Sequence, residues 1–106
     1  MSYRVDFAPE AEEQLADIYR YIAERASPDT AARYTGAIVA CCEGLHLFPH
    51  RGTARDDLRP GLRLTHYKGR TVIAYAVDDA QLRIGILGIY YGGQDHESAL
   101  RTDEDD

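Results

Sequence analysis

The residues of this sequence best suited to chemistry are arginines, and most of them lie in one segment. Residues 51–70 hold six basic residues against two acidic ones, namely Arg51, Arg55, Arg59, Arg63, Lys68 and Arg70 against Asp56 and Asp57. Arginine forms paired hydrogen bonds with phosphate and carboxylate groups, so this segment predicts binding to a phosphate or to an acidic partner peptide. For any single arginine, a solvated position beside an acidic neighbour is an equally good interpretation.

The predicted strands that follow this segment add three residues to the candidate set. Arg83 stands near the start of the last strand-like run, and Tyr90 and Tyr91 end it. A tyrosine there can pack on the sheet or contact a partner, because its apolar ring carries a polar tip. The candidate partner-binding residues are therefore Arg59, Arg63, Arg70, Arg83, Tyr90 and Tyr91.

Motifs for cofactor-dependent, metal-dependent or nucleophilic catalysis do not occur in the sequence. It has no phosphate-binding loop, no dinucleotide fingerprint and no nucleophile elbow. His46 and His50 are four residues apart, but Pro49 ends the helix between them, which argues against a shared metal. The adjacent Cys41 and Cys42 suit small buried hydrophobic positions. We therefore predict no catalytic residue, cofactor, metal or small-molecule substrate.

Two helices are predicted to position these residues. After a short alternating strand at residues 3–7, Pro9 and an acidic first turn predict a helix that runs to about Arg25. Ser27 and Pro28 then form an N-cap and first-turn pair for a second helix. Its apolar residues recur every three or four positions, at Ala31, Tyr34, Ile38, Cys41, Leu45 and Phe48.

The second half of the chain predicts strands. An irregular connection over residues 49–61 precedes strand-like runs at 62–67, 71–77 and 82–91, with turn signals at 68–69 and 78–80. The result is an α+β fold of two layers in the order β-α-α-β-β-β, with a helical hairpin packed on a mainly antiparallel four-stranded sheet. One face of that sheet should stay open. Because Arg63 alternates with Leu62 and Leu64, we expect its side chain on the open face.

Length and charge indicate one domain and a distinct C-terminus. The chain has 106 residues and a net charge of −6, which fits a single domain over residues 1–95. Residues 96–106 are acidic and poor in apolar side chains, so a flexible tail is predicted. No apolar run reaches the roughly 20 residues of a membrane span, and no signal-peptide pattern opens the chain, so we expect a cytoplasmic protein.

Several short motifs in a fixed order support a family resemblance over roughly residues 3–95. They are Tyr3 to Ala11 with Leu15 to Ile18, then Phe48 to Gly52, Asp57 to Arg63, Arg70 to Tyr75 and Ile84 to Asp95. With the predicted element order, these segments resemble the ParE branch of the RelE/ParE superfamily of toxins from bacterial type II toxin–antitoxin systems.

The resemblance implies a toxin that is neutralised by a cognate antitoxin, in a hetero-oligomer where the antitoxin covers the helical hairpin and an exposed sheet surface.

ParE-like members inhibit DNA gyrase, whereas RelE-like members are metal-independent endonucleases that cleave messenger RNA on the ribosome. In the nuclease alternative, Arg63, Arg83 and Tyr91 would stabilise the phosphate and transfer protons. Gly88 stands where nuclease members often carry Arg, and residues 91–94 lack the His and Arg of many relatives. The sequence therefore favours a binding inhibitor of gyrase over an enzyme.

Overall fold

The computed structural model describes residues 2–92 and Leu100, which form a helical hairpin on one five-stranded sheet. The elements are β1 (Arg4–Phe7), α1 (Pro9–Arg25), α2 (Pro28–Glu43), a 3₁₀ turn (Gly44–His46), β2 (Thr53–Ala54), β3 (Leu62–Tyr67), β4 (Thr71–Asp78) and β5 (Arg83–Tyr91). The strand order is β1-β5-β4-β3-β2, with β1 parallel to β5 and all other pairs antiparallel. The predicted α+β architecture is confirmed. The short β2, within the connection predicted to be irregular, is the fifth strand.

The helices begin at the residues that the sequence indicates, but α2 ends early. Ser27 caps α2, and its hydroxyl oxygen accepts the Thr30 backbone N–H at 3.1 Å. The α-helix stops at Glu43, and the 3₁₀ turn that follows has a tighter period, so the α-helical spacing no longer predicts burial. The side chain of Phe48, expected in the core, is 66% exposed. No helix in the described part of the chain is long and apolar enough to cross a membrane.

The main core lies between the helical hairpin and one face of the sheet, which we call the helix face. Its buried members come from both layers and include Ile18, Ile38, Cys42, Ile73, Tyr75, Ile84, Ile86 and Ile89. Burial raises the pKa of the Cys42 thiol to about 12, so the thiol is neutral at physiological pH. The prediction of a small buried hydrophobic residue is confirmed for Cys42.

The opposite face of the sheet, here the second face, is covered rather than open. Its buried residues pack as a second cluster of Leu58, Leu62, Leu64, Ala74, Tyr90 and Leu100. The expected open face is therefore wrong, because Leu58 from the connection and Leu100 near the C-terminus both reach it. Apart from Leu100, the predicted tail lies outside the described residues.

A bulge in β5 is stabilised by a side chain from α1. Ala74 pairs with Gly88 and Tyr75 with Ile86, so Leu87 is an extra residue in β5. The partner strand β1 ends at Phe7, opposite Ile86. Beyond that point, the Gln14 side-chain oxygen accepts the Ile89 backbone N–H at 2.7 Å. Gln14 thus supplies the acceptor that a longer β1 would have provided.

We expect Gln14→Leu to lower the free energy of unfolding by about 1 kcal/mol, because the part-buried Ile89 N–H loses its acceptor. Gln14→Glu keeps an acceptor oxygen at the same reach and should cost less. Urea denaturation of the two variants measures the difference. Equal stability of Gln14→Leu and the parent chain would show that the bond contributes nothing.

Candidate functional site

The candidate nuclease residues are not brought together. Arg83 pairs with Asp78 at one end of the β4–β5 ladder, and Tyr91 pairs with Thr71 at the other end. At about 3.3 Å per residue, the length of β5 separates them by roughly 25 Å. One phosphate group cannot contact both side chains. Arg83 instead lies 3.8 Å from the Asp6 carboxylate, which also pairs with Arg4 at 3.4 Å.

Arg63 lies on the helix face, and this corrects the expectation that it projects from an open sheet face. It pairs with Tyr75, and directly paired residues in an antiparallel ladder share a face. Its guanidinium donates hydrogen bonds to the backbone carbonyls of Arg51, at 3.1 Å, and of His50. The Tyr75 hydroxyl donates to the Arg51 carbonyl as well. Arg63 therefore holds the segment before β2 in place.

A second set of contacts fixes the same segment. The His50 ring nitrogen Nε2 lies 3.1 Å from Asp79, and the Tyr3 hydroxyl donates to Asp79 at 2.6 Å. The hydrogen bond from Tyr3 lowers the pKa of the Asp79 carboxyl, so the carboxylate is charged at neutral pH. Together these contacts tie β1, the segment around residue 50 and the β4–β5 turn to one another.

Tyr90 belongs to the second face, and Arg59 follows a residue that packs there. The Tyr90 side chain is buried, and its ring covers Gly88: a Cβ atom built at Gly88 would lie 2.5 Å from the Tyr90 hydroxyl oxygen. Arg59 follows the buried Leu58, and its carbonyl accepts the Leu62 N–H at 3.1 Å. Tyr90 is therefore part of the apolar cluster of the second face, and Arg59 is next in the chain to its member Leu58.

Tyr91 and Arg70 meet on the helix face, where β4 begins and β5 ends. The turn between Tyr67 and Thr71 has three residues, and φ is positive at the first two, Lys68 and Gly69, with values of 55° and 71°. The Arg70 carbonyl accepts the Gly92 N–H at 2.9 Å. The Arg70 guanidinium lies 5.5 Å from the centre of the Tyr91 ring, within the range of a cation–π contact.

Four tyrosines form a chain of edge-to-face contacts at this end of the sheet, and we call Tyr21, Tyr34, Tyr67 and Tyr91 the tyrosine cluster. Ring centres are 5.7 Å apart for Tyr21 and Tyr91, 5.6 Å for Tyr34 and Tyr91, and 5.4 Å for Tyr34 and Tyr67. The Tyr34 hydroxyl is 2.8 Å from the hydroxyl of the buried Thr71. The cluster joins both helices to the ends of three strands.

A cleft of about 420 Å³ opens beside this cluster. Its lining combines α1 with the ends of β4 and β5 and consists of Gln14, Asp17, Ile18, Tyr21, Arg70, Tyr91 and Gly92. An aromatic wall, one cation and one carboxylate face the same volume. The lining can stack a planar group and hold an anion beside it.

The sequence identifies Arg70 and Tyr91 as candidates, but it does not identify the other three tyrosines of the tyrosine cluster. Tyr34 was assigned only to the core stripe of α2, and Tyr21 and Tyr67 were not singled out. A usable signal existed for Tyr67, because the short turn after it brings residue 67 opposite residue 71, which pairs with residue 91. No comparable signal placed Tyr21 of α1 against Tyr91.

Comparisons with known proteins agree with this fold. The chain is similar in structure to the chromosomal ParDE toxin–antitoxin system of P. aeruginosa, with TM-score 0.73 and 21% identity over 85% of this chain and 96% of that one. It is also similar to the RelBE2 complex of Mycobacterium tuberculosis, with TM-score 0.65 and 22% identity over 86% and 99%. A mutant of the E. coli toxin RelE in the free state gives TM-score 0.66 and 11% identity over 94% of each chain.

Sequence comparison is more specific than these structural similarities. No significant match is found among curated proteins. A family model described as the ParE toxin of the type II toxin–antitoxin system parDE matches residues 5–96, which is most of the chain. The chain therefore belongs to the ParE toxin family of type II toxin–antitoxin systems.

Proposed function

We propose that this toxin inhibits DNA gyrase by binding to it and trapping it on cleaved DNA, in the bacterial cytoplasm. The observation that carries the proposal is the separation of Arg63, Arg83 and Tyr91. Metal-free RNA cleavage requires a base, an acid and cations within reach of one phosphate. Within residues 2–92 and Leu100, Arg83 and Tyr91 stand at opposite ends of β5, and Arg63 is bonded to backbone carbonyls.

Gly88 gives a second reason to prefer binding over catalysis. RelE-like nucleases often carry Arg at the corresponding place, where its cation would stabilise the phosphate. Here the Tyr90 ring covers Gly88, and even a methyl group would clash with the phenol. The space for such an arginine is filled by a buried aromatic side chain.

The end of β5 is the proposed contact with gyrase. Arg70 and Tyr91 lie there on the helix face, and Tyr90 lies there on the second face. Interface energies usually concentrate on a few Arg and Tyr side chains, and these residues present both types around one edge of the molecule. No general acid or base is required for such binding.

Expression in bacteria separates this function from the nuclease alternative. If the toxin inhibits gyrase, cells should elongate into filaments and induce the DNA-damage response while protein synthesis continues. Pulse labelling of new protein beside a damage-response reporter measures the order of events. Arrest of translation first, with messenger RNA cut in the ribosomal A site and the cut lost in a folded Arg63→Ala variant, would favour the nuclease.

We further propose that a cognate antitoxin binds across the outer face of the helical hairpin. A shallow groove of about 360 Å³ runs there between α1 and α2, lined by Leu15, Ala16, Tyr19, Ala32, Thr35, Gly36 and Val39. Small residues at its floor let another helix approach closely, and the apolar rim supplies buried area. Basic or polar side chains beside the groove would add to the selectivity for the antitoxin more than to the affinity.

Gly36 provides the test of this antitoxin surface. Apart from its chain neighbours and the backbone of its own helix, a Cβ atom at Gly36 meets nothing within 4 Å, so Gly36→Leu should leave the toxin fold intact while filling the groove. We expect the affinity for the antitoxin encoded by the neighbouring gene to fall at least about tenfold, or roughly 1.4 kcal/mol. Ala40→Leu, exposed on α2 outside the groove lining, is the matched control. Unchanged affinity of Gly36→Leu in a titration would place the antitoxin elsewhere.

A further inference from the structure

Three basic side chains stack on the tyrosine cluster, each on a different ring. The Arg25 guanidinium is 3.9 Å from the Tyr21 ring centre, and Arg70 is 5.5 Å from Tyr91. The Lys68 ammonium is 5.9 Å from Tyr67. Because the rings also contact one another, this end of the molecule alternates aromatic surface with positive charge over a continuous strip.

The cleft beside Tyr21 and Tyr91 has the size and access of a ligand site. Its volume of about 420 Å³ lies within the range of roughly 300–1,000 Å³ that small-ligand sites occupy. Tyr21 is 45% exposed, so part of its surface is available to an incoming group. The carboxylate in the lining, Asp17, is hydrogen-bonded to Arg20, which offsets its negative charge.

We propose that this cleft binds one unpaired nucleotide of a single-stranded nucleic acid, with the base against Tyr21 and Tyr91 and the phosphate on Arg70. Base stacking on aromatic rings tolerates any sequence, since every base has a flat π surface. Arginine matches the geometry of phosphate oxygens through paired hydrogen bonds. Arg25 and Lys68 extend the positive strip toward the neighbouring phosphates.

The alternation of rings and cations favours a single strand over an acidic peptide or a duplex. An acidic peptide needs the cations but not the aromatic wall, whereas bases and phosphates use both in turn. A duplex would present its phosphates without free base surfaces, and the net charge of −6 opposes the extended contact that duplex binding needs. The cleft shares Arg70 and Tyr91 with the proposed gyrase contact and lies on the helix face, apart from Gly88 and Tyr90. Strand binding is measured without gyrase, so its outcome is distinguishable from the outcome for gyrase inhibition.

Fluorescence anisotropy with the full chain and a labelled oligothymidylate of roughly ten nucleotides tests the site at low salt. We expect saturable binding that Tyr21→Ala and Arg70→Ala each weaken about tenfold. Tyr21→Phe should keep the affinity, because the ring is retained. With two or three phosphates neutralised, log affinity should fall with log salt at a slope of about −1.4 to −2.1. Arg83→Ala is the matched arginine control, since Arg83 lies at the opposite end of β5 and pairs with Asp6.

Thermal melts of each variant establish that it is folded before it is titrated. Binding that survives in a folded Tyr21→Ala, that falls equally in Arg83→Ala, or that is tighter for a duplex of the same sequence would overturn the site. Absence of saturable binding to both oligothymidylate and oligouridylate would overturn it too. Binding to either oligomer with the expected variant pattern supports the site.

Discussion

Arg63→Ala is expected to lower the free energy of unfolding by roughly 2–3 kcal/mol. The guanidinium donates to the His50 and Arg51 carbonyls. Hydrogen bonds of charged groups contribute about 1.5–3 kcal/mol net each, and the exposure of these two bonds places their sum toward the low end. In the variant, no guanidinium at position 63 holds the segment that leads into β2. Urea denaturation measures the loss, and hydrogen exchange should show it first at residues 50–54.

Two matched variants separate this structural role from a binding role. Arg63→Lys keeps the charge, but its single ammonium group lacks the planar geometry by which a guanidinium donates to two carbonyls. It should therefore be little more stable than Arg63→Ala. Arg70→Ala removes an equally basic but exposed side chain and should change stability by less than about 0.5 kcal/mol. If Arg63→Ala is as stable as the parent chain and yet has lost toxicity, Arg63 acts on the target and its structural assignment is wrong.

Gly88→Ala is expected to cost about 2–3 kcal/mol, an unusually large loss for the addition of one methyl group. A Cβ at this position would lie 2.5 Å from the Tyr90 hydroxyl oxygen and 2.7 Å from its ring. The ring is enclosed by the second-face cluster, so it cannot swing away without exposing apolar surface. Overpacking of a well-filled site typically costs 1–3 kcal/mol.

A double-mutant cycle tests whether Tyr90 is the cause. Tyr90→Ala is itself destabilising, but in that background Gly88→Ala should be nearly neutral, because the clashing ring is gone. Chemical denaturation of the four proteins gives the coupling energy. Additive losses would mean that Gly88 is constrained by something other than the Tyr90 ring.

Local sequence patterns predicted the helices and strands well, because each signal acts over a few residues. Ser27 and Pro28 mark the start of α2, and the turn signal at 68–69 marks the end of β3 and the approach to β4. The early end of α2 was not predicted, since a change from α to 3₁₀ geometry after Glu43 leaves the three- and four-residue spacing of apolar residues almost intact.

The assignment of sheet faces failed for a physical reason. Alternation along β3 correctly separates Leu62 and Leu64 from Arg63, but it does not say which set faces the helices. Both faces of this sheet are apolar, and the second face is covered by single residues distant in sequence, Leu58 and Leu100. No local pattern indicates that one leucine in a polar connection completes a core.

The candidate site was only half predictable. Arg70 and Tyr91 follow from the strand ends, but the contact of Tyr21 with Tyr91 depends on how α1 lies across the sheet. Conversely, Arg63 and Arg83 looked alike in sequence, and only their partners distinguish them: backbone carbonyls for Arg63 and the Asp6 carboxylate for Arg83.

Supercoiling of relaxed plasmid by purified gyrase, titrated with the full-length toxin, tests the proposed inhibition most directly. Inhibition by binding predicts that supercoiling is lost as toxin saturates the enzyme, that linear DNA accumulates after protein is removed, and that added antitoxin reverses both effects. Undiminished supercoiling at saturating toxin, together with messenger RNA cleaved in a translation reaction containing the same preparation, would contradict it.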